Sequence, residues 1–130
     1  MEYESCKLPK KFRLAKLISY HSNYKQRIGV AIYKGARLVS TGFNYLKTHP
    51  KYANKYPSIH AEISAIIKAQ TDLNGCTIYV YREHNKYKTP MLSLPCDNCM
   101  SAIFEAGISK IYFTTDGGWD MIKLERYYVN

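Results

Sequence analysis

The sequence predicts an α/β domain of three layers, in which a mixed central sheet of about five strands carries helices on both faces. Helical and strand patterns alternate in the order α-β-β-α-β-α-β, and the last element is either a strand or a helix. Two segments, CTIYVYR and ISKIYFTT, are nearly unbroken apolar runs, which is typical of strands buried on both faces. No repeat or linker divides the 130 residues, so we expect a single domain, residues 1–130.

The first elements are a helix and a hairpin. A helix is expected near residues 9–22, because Pro9 suits a first helical turn and apolar residues recur at helical spacing after it. Residues 27–33 and 37–43 alternate as two strands, and a short turn around Gly35 joins them. We therefore expect these two strands to pair antiparallel.

The later elements are separated by turn signals. We expect a loop at 44–58, a helix at 60–70, a strand at 76–82, a polar connection at 83–94, a helix at 96–106 and a strand at 108–115. Gly107 ends the second of these helices. Asp116 and Gly117 favour a tight turn that folds GWDMIKL back as an antiparallel strand, with a short C-terminal helix as the alternative.

The charge is distributed unevenly along the chain. The formal net charge is +9, and residues 1–60 hold 12 Lys or Arg against 2 acidic residues, whereas residues 61–130 hold 7 against 8. Such asymmetry suggests an anionic partner, with nucleic acid or a nucleotide as the first candidates. The alternative is a basic surface that serves only solubility.

The cysteines favour a reducing compartment. Of Cys6, Cys76, Cys96 and Cys99, only the last two are close in sequence, which indicates metal or redox chemistry more than a disulfide framework. The N-terminal segment has no apolar run of the kind found in signal peptides, and no segment approaches the ~20 apolar residues of a membrane span. We expect a cytoplasmic protein without a membrane partner.

Two short motifs carry the chemistry. SIHAEISAII, residues 58–67, has the periodicity of a buried helix, yet it places His60 and Glu62 in the first turn. Because burial of an imidazole or a carboxylate costs free energy unless the group is paired, this turn needs a partner or a cleft. In PCDNC, Cys96 and Cys99 lie on one face of a first helical turn, where the helix dipole lowers thiol pKa and favours zinc binding.

The two motifs can form one site. If both helix starts face each other, His60 adds a third ligand to Cys96 and Cys99, and the fourth position stays open, as in catalytic zinc sites. Zinc lowers the pKa of water to about 7, and the carboxylate of Glu62 could take up the proton and return it elsewhere. We therefore expect Zn²⁺ as cofactor and Glu62 as the catalytic residue.

HAE at residues 60–62, followed by PCDNC at residues 95–99, resembles the zinc-dependent cytidine and deoxycytidylate deaminase superfamily, whose signature is H-x-E and P-C-x-x-C. Each motif opens a predicted helix, and the resemblance extends from about residue 27 to residue 115. It implies that water attacks C4 of cytosine and that ammonia leaves to give uracil, with Glu62 shuttling protons. It also implies substrate contacts from the Asn44 side chain and from backbone groups of Ala61, Ser93, Leu94 and Pro95.

Two alternatives make the same residues structural or redox groups. A structural zinc site would need a fourth ligand, for which His49, His84 or Cys76 is available, but it leaves Glu62 unexplained. A thioredoxin-like C-x-x-C motif explains neither HAE nor the late position of the cysteines.

The loop before His60 suggests how the substrate is recognised. It interleaves tyrosines with lysines, which suits stacking on bases and contact with phosphates of a single strand. The residues expected at the rim of the cleft are Tyr45, Lys47, His49, Lys51, Tyr52, Lys55, Tyr56, His84 and Trp119. A base inside a duplex is out of reach, so the cytosine would be single-stranded or flipped out.

Four functions remain open. The favoured one is deamination of cytosine in single-stranded nucleic acid, with DNA preferred to RNA. The alternative is a deaminase of a free nucleotide such as dCMP. An adenosine deaminase of tRNA and a catalytically silent, zinc-containing nucleic-acid-binding domain are lesser variants. Oligomerisation is not indicated by the sequence.

Overall fold

The computed structural model describes residues 7–46 and 58–124. The helices are α1 (Phe12–Ser19), α2 (Ala61–Ala69) and α3 (Asp97–Glu105). The strands are β1 (Ile28–Lys34), β2 (Arg37–Phe43), β3 (Tyr45–Leu46), β4 (Ser58–Ile59), β5 (Thr77–Arg82), β6 (Lys110–Thr115) and β7 (Gly118–Lys123). The major elements follow each other in the predicted order.

Five strands form one mixed sheet in the order β2-β1-β5-β6-β7. β5 and β6 are parallel, with α3 between them in the chain, whereas every other neighbouring pair in this sheet is antiparallel. The predicted sheet of about five strands is therefore confirmed. The turn at Gly117, whose φ of +79° suits glycine, leads into β7, so the last predicted element is the strand and not the helix.

The two faces of the sheet bury different side chains. Val30 of β1 and its partner Val80 of β5 belong to an aliphatic core, which also contains residues of α2 and α3. Ala31 and Tyr81, the next residues along the same strands, belong to an aromatic core with Phe12 of α1. This alternation gives the predicted three layers, with α1 on one face of the sheet and α2 and α3 on the other.

Gly42 allows the start of α2 to lie directly on β2. A Cβ atom at Gly42 would be 2.5 Å from the carbonyl oxygen of Ala61 and 2.6 Å from the backbone nitrogen of Ala65. Both contacts are shorter than real Cβ atoms adopt, so only glycine permits this approach. The first turn of α2, with His60 before it and Glu62 within it, is therefore fixed against the sheet.

Two boundaries differ from the predictions. The helix expected at 9–22 is shorter, because backbone bonds of the tight, three-residue type hold its flanks, such as Phe12 N–H to the Pro9 carbonyl and His21 N–H to the Ile18 carbonyl. The loop expected at 44–58 begins and ends in a short ladder, in which Tyr45 pairs with Ile59. Strands of two residues are too short to show a period in the sequence.

No helix among the described residues is long and apolar enough to cross a membrane.

Candidate active site

The two helix starts that carry the motifs converge. His60 and Cys96 have extended backbones and occupy the N-cap positions of α2 and α3, where their carbonyls accept the first helical hydrogen bonds from Ser64 and Met100. The Nδ1 atom of His60 is 3.3 Å from Sγ of Cys99 and 3.7 Å from Sγ of Cys96. One ligand atom from each of these three residues lies within 4.8 Å of the others.

These distances fit a tetrahedral zinc ion. At Zn–S of about 2.3 Å and Zn–N of about 2.0 Å, nitrogen and sulfur ligands on two tetrahedral corners are roughly 3.5 Å apart. The distances from the imidazole of His60 to the two sulfurs lie on either side of that value. One imidazole and two thiols are also the soft donor set that zinc prefers, so His60, Cys96 and Cys99 could hold it.

No fourth histidine, cysteine or carboxylate joins this cluster in the described part of the chain. Cys76 is fully buried in the aliphatic core, and His84 lies beyond the end of β5. His49, the remaining candidate for a fourth ligand, lies outside the described residues. Neither described candidate supports the structural-zinc alternative.

Glu62 is buried beside the cluster. Its side chain is 4% exposed in the first turn of α2 and lines the same cleft as His60 and Cys96. Burial raises the pKa of Glu62, and its own backbone N–H, the nearby His60 and a hydrogen bond with Cys99 offset only part of this rise. A raised pKa makes a carboxyl group a better proton acceptor than an ordinary glutamate.

The environment of the Cys99 thiol also disfavours negative charge. Burial raises the pKa of the Cys99 thiol, and the negative charges of Glu62 and Cys96 add to this rise. A bound divalent cation removes this penalty because it stabilises the thiolate directly. The site is therefore electrostatically suited to a cation.

The cleft has a volume of about 250 Å³. Of the predicted substrate-binding residues, Asn44, Ser93 and Leu94 line it. Ala61 and Pro95 are buried and are not among the residues that form its walls.

Asn44 supports the cleft as well as lining it. Its Oδ1 accepts a hydrogen bond from Ile28 N–H at 2.8 Å, and its Nδ2 donates to the Gln26 carbonyl at 2.6 Å. Asn44 thus fastens the segment before β1 to the end of β2. One amide hydrogen and one lone pair of the side chain remain for another partner.

Ser93 fixes the segment that leads to Cys96. Its hydroxyl donates to the Val80 carbonyl at 2.8 Å and accepts from Thr114 N–H at 2.9 Å, while Ser93 N–H donates to the Thr114 carbonyl at 2.9 Å. These bonds join the segment to both β5 and β6. The wall formed by Leu92 and Leu94 is therefore rigidly placed.

The lining residues that were not predicted include three polar ones, Tyr24, Gln26 and Arg82. Arg82 had a signal in the sequence, because in β5 it follows Ile78 and Val80 at a period of two, on the face that α2 and α3 cover. Tyr24 and Gln26 had none, since they lie in an irregular segment whose position depends on Asn44.

The predicted rim is only partly described. Tyr45 is 37% exposed at the ladder next to Ile59, and His84 borders a neighbouring cavity. Trp119 is not among the residues that line the cleft, and its ring contacts Tyr112 and Phe12 on the aromatic face. The others lie outside the described residues: Lys47, His49, Lys51, Tyr52, Lys55 and Tyr56.

The sequence is similar to those of known deaminases. The family model of the cytidine and deoxycytidylate deaminase zinc-binding region matches residues 6–115. A protein of Aliivibrio fischeri described as an uncharacterized deaminase in the luxG 3' region is 33% identical over 110 residues, which cover 78% of this chain and 67% of that protein. Human deoxycytidylate deaminase is 37% identical over 68 residues, 51% of this chain, and the match spans only 32% of the human protein.

Solved structures share the fold. The dCMP deaminase of cyanophage S-TIM5 in its apo form superposes with a TM-score of 0.62 at 21% identity, covering 82% of this chain and 84% of the phage protein. Cytidine deaminase from Burkholderia pseudomallei gives a TM-score of 0.65 at 17% identity, with 89% and 93% covered. From the family match, the fold and the convergent His60, Cys96 and Cys99, the chain belongs to the cytidine and deoxycytidylate deaminase family.

Proposed function

We propose that the protein hydrolyses the amino group of cytosine in a nucleotide, giving uracil and ammonia, and that a free nucleotide is its main substrate. The observation that carries the proposal is the position of the buried Glu62 in one cleft with His60 and Cys96, which cluster with Cys99. The named activities of the relatives support the nucleotide, because human deoxycytidylate deaminase matches half of this chain.

In this proposal the metal and Glu62 have separate tasks. His60, Cys96 and Cys99 would hold zinc, which supplies activation of water near neutral pH when it is bound. Glu62 accepts the proton of the attacking water and returns it to the base, so that a C4–O bond forms, the C4–N bond breaks and ammonia leaves. The raised pKa of Glu62 suits this use, since the carboxyl must hold the proton between the two transfers.

The walls of the cleft would orient the base. Leu92 and Leu94 offer apolar contact. The remaining amide hydrogen and lone pair of Asn44 can form hydrogen bonds with a polar edge of the nucleotide. Because Asn44 and Ser93 are already fixed by backbone hydrogen bonds, the cleft requires little rearrangement on binding.

A single-stranded nucleic acid is the second candidate substrate. A cavity of about 360 Å³ is lined by His21, Phe43 and Tyr45, whose neighbouring ring centroids are 5.8 Å apart. Asn44, between Phe43 and Tyr45 in the chain, lines the catalytic cleft, and these rings offer a stacking surface for a base that lies outside it. The net charge of residues 1–60 favours the same substrate.

We also propose a reducing, cytoplasmic setting. Cys96 and Cys99 can bind a metal only as free thiols, and both are free of disulfides in the structure.

A substrate panel tests the proposal. Zinc-loaded protein is incubated with dCMP, with deoxycytidine and with a cytosine-containing oligonucleotide, and uracil products are measured by mass. We expect the fastest product formation from dCMP. Product from the oligonucleotide alone would reverse the order of the two candidates. Product from none of the three, while zinc remains bound, would contradict deamination of cytosine.

A further inference from the structure

A second cavity, of about 220 Å³, adjoins the catalytic cleft. Gln26 and Arg82 line both cavities, so the two spaces meet at these side chains. The second cavity is otherwise bordered by Lys25, His84 and Asn85, among others, and by none of the residues that could hold zinc. A ligand in the cleft could therefore extend past Arg82 into a chemically different space.

Arg82 presents unused hydrogen-bond donors at the junction. Only Nη1 has a partner in the described part of the chain, the Leu92 carbonyl at 3.3 Å. No described carboxylate lies within 4.0 Å of its guanidinium group. The side chain is half-buried, which reduces screening of its charge by solvent. A guanidinium group of this kind is suited to bind a phosphate through two parallel hydrogen bonds.

Lys25 and His84 add donors to the same cavity. Lys25 is exposed, and no described carboxylate is within ion-pairing distance of its ammonium group. The Nδ1 atom of His84 accepts hydrogen bonds from Lys86 N–H at 3.1 Å and Tyr87 N–H at 3.2 Å. The neutral imidazole must then carry its proton on Nε2, which makes that nitrogen a donor.

Glu83 is the one acidic residue described in this wall, and its carboxylate contacts Tyr20, Tyr81 and Lys88. Its Oε1 accepts hydrogen bonds from the hydroxyl groups of Tyr20 and Tyr81, both at 2.8 Å. Its Oε2 is buried, has no hydrogen-bond partner among the described residues and lies 4.0 Å from Nζ of Lys88. The cavity therefore retains the positive charge of Lys25 and Arg82.

The two sides of the cavity are joined. Asn85 donates from Nδ2 to the Lys25 carbonyl at 2.9 Å, which links the segment after β5 to the segment before β1. A bridge between Glu83 and Pro90 closes the base of the loop that carries His84 and Asn85. These bonds place the donors before any ligand arrives, as is usual for small-molecule sites.

We propose that this cavity is a phosphate subsite, in which Arg82 and Lys25 bind a phosphate ester attached to the sugar of the substrate. The inference rests on the proposed function for the position of the base in the cleft. Arg82 and Lys25 then act as specificity-determining residues that favour nucleotides over nucleosides. The phosphate can come from a free nucleotide or from the backbone of a single strand, because both present the same anionic oxygens.

Binding without turnover tests the subsite. Zinc-loaded Glu62→Gln protein is titrated calorimetrically with dCMP, with deoxycytidine and with a cytosine-containing trinucleotide. We expect a phosphorylated ligand to bind at least about 10-fold more tightly than deoxycytidine, as for hydrogen bonds to charged groups. Adding Arg82→Gln should remove most of this preference, and adding Lys25→Gln should reduce it by a smaller factor. The ligand that loses affinity identifies the source of the phosphate.

Matched variants separate the subsite from general charge and from folding. Arg37→Gln and Lys34→Gln remove exposed cations at the far hairpin and should leave the ratio unchanged. Lys25 is an exposed loop residue, so its variant tests the subsite even if Arg82→Gln folds poorly. Equal binding of all three ligands, or a ratio that the Arg82 and Lys25 variants leave unchanged, would overturn the subsite. Failure of the deaminase proposal appears separately, as an absence of uracil from the wild-type protein.

Discussion

Two glutamates are buried among the described residues, Glu62 at 4% exposure and Glu83 at 7%. Glu62 lies in the first turn of α2, beside the Cys99 thiol, and lines the cleft with His60 and Cys96, two of the three residues that could hold zinc. Glu83 follows β5 on the opposite face of the sheet, where two tyrosine hydroxyls donate to it and Lys88 lies 4.0 Å away. The same side chain is thus buried in two different ways.

The difference lies in the groups that each carboxylate contacts and not in complete hydrogen bonding, because Oε2 of Glu83 has no hydrogen-bond partner among the described residues. Glu83 connects α1, β5 and the following loop through Tyr20, Tyr81 and Lys88, so its charge stabilises packing. Glu62 has no such set of hydroxyl donors among the described residues, and burial raises its pKa. Burial that disfavours the charged form of a carboxyl group is common where that group transfers protons.

The largest expected effect concerns Glu62 itself. Glu62→Gln keeps the size of the side chain but removes proton transfer, so we expect kcat on cytosine substrates to fall about 100- to 10,000-fold. Zinc content should be retained, and the melting temperature should be unchanged or higher because a buried charge is removed. The measurements are steady-state kinetics, metal analysis and thermal unfolding.

The matched variant for that test is Glu105→Gln, which changes an exposed glutamate at the end of α3. It should leave kcat at the wild-type value. Full activity of Glu62→Gln would show that the proton is carried by another group.

For Glu83, the second prediction is a loss of stability without a loss of activity. Glu83→Ala leaves the buried Tyr81 hydroxyl without its acceptor, so we expect the free energy of unfolding to fall by roughly 2–3 kcal/mol. At temperatures where the variant is folded, kcat should remain within a small factor of the wild-type value. Denaturant unfolding and kinetics on the same preparation measure both quantities.

A double-mutant cycle with Tyr81→Phe sharpens this result. If Glu83 stabilises the protein through the hydroxyl of Tyr81, the two changes together should cost less than the sum of the single changes. Strict additivity would assign the role of Glu83 to other contacts.

The third prediction concerns how Glu62 is positioned. Gly42→Ala places a Cβ atom 2.5 Å from the Ala61 carbonyl oxygen, so the start of α2 must shift. We expect a loss of roughly 1–3 kcal/mol in unfolding free energy, as for overpacking, together with weaker zinc binding. Gly118→Ala is the control, because its nearest contact would be an ordinary 3.4 Å. Wild-type zinc affinity in Gly42→Ala would mean that the ligands do not depend on this approach.

The sequence predicts the site where each residue is marked locally. His60 and Cys96 stand at the starts of helices with clear periodicity, and Pro95 marks the second of these starts. The two motifs together resemble those of a known family. This resemblance predicts the contact between the two helices, which no local pattern contains. The fold follows for a related reason, since long apolar strands and amphipathic helices leave few arrangements.

The residues that were missed depend on packing between distant segments. In the sequence Glu83 is part of a polar connection. Its buried role depends on a hydrogen bond from Tyr20, which follows α1 and is distant in the chain. Gln26 reaches the cleft because Asn44 holds its carbonyl. Trp119 was predicted at the rim, but its ring contacts Phe12 and Tyr112 on the aromatic face. Which face an exposed aromatic residue joins is set by strand register, and a one-residue shift reverses it.

The smallest predicted effect is a difference in alkaline stability that reports on the Glu83 side. Burial and the neighbouring Glu83 raise the pKa of Tyr81, and they raise the pKa of Tyr20 to about 12. Above pH 10 the unfolded chain therefore loses tyrosine protons that the folded chain keeps, so the free energy of unfolding falls as pH rises. Each such tyrosine contributes a slope of at most about 1.4 kcal/mol per pH unit, and partial exposure of Tyr20 reduces its share.

Tyr81→Phe should have a shallower slope above pH 10 than the wild type, while Tyr87→Phe, at an exposed tyrosine, should not. Parallel slopes for the wild type and Tyr81→Phe would mean that the carboxylate of Glu83 does not hold this hydroxyl protonated, and the contrast between the two buried glutamates would then rest on Glu62 alone.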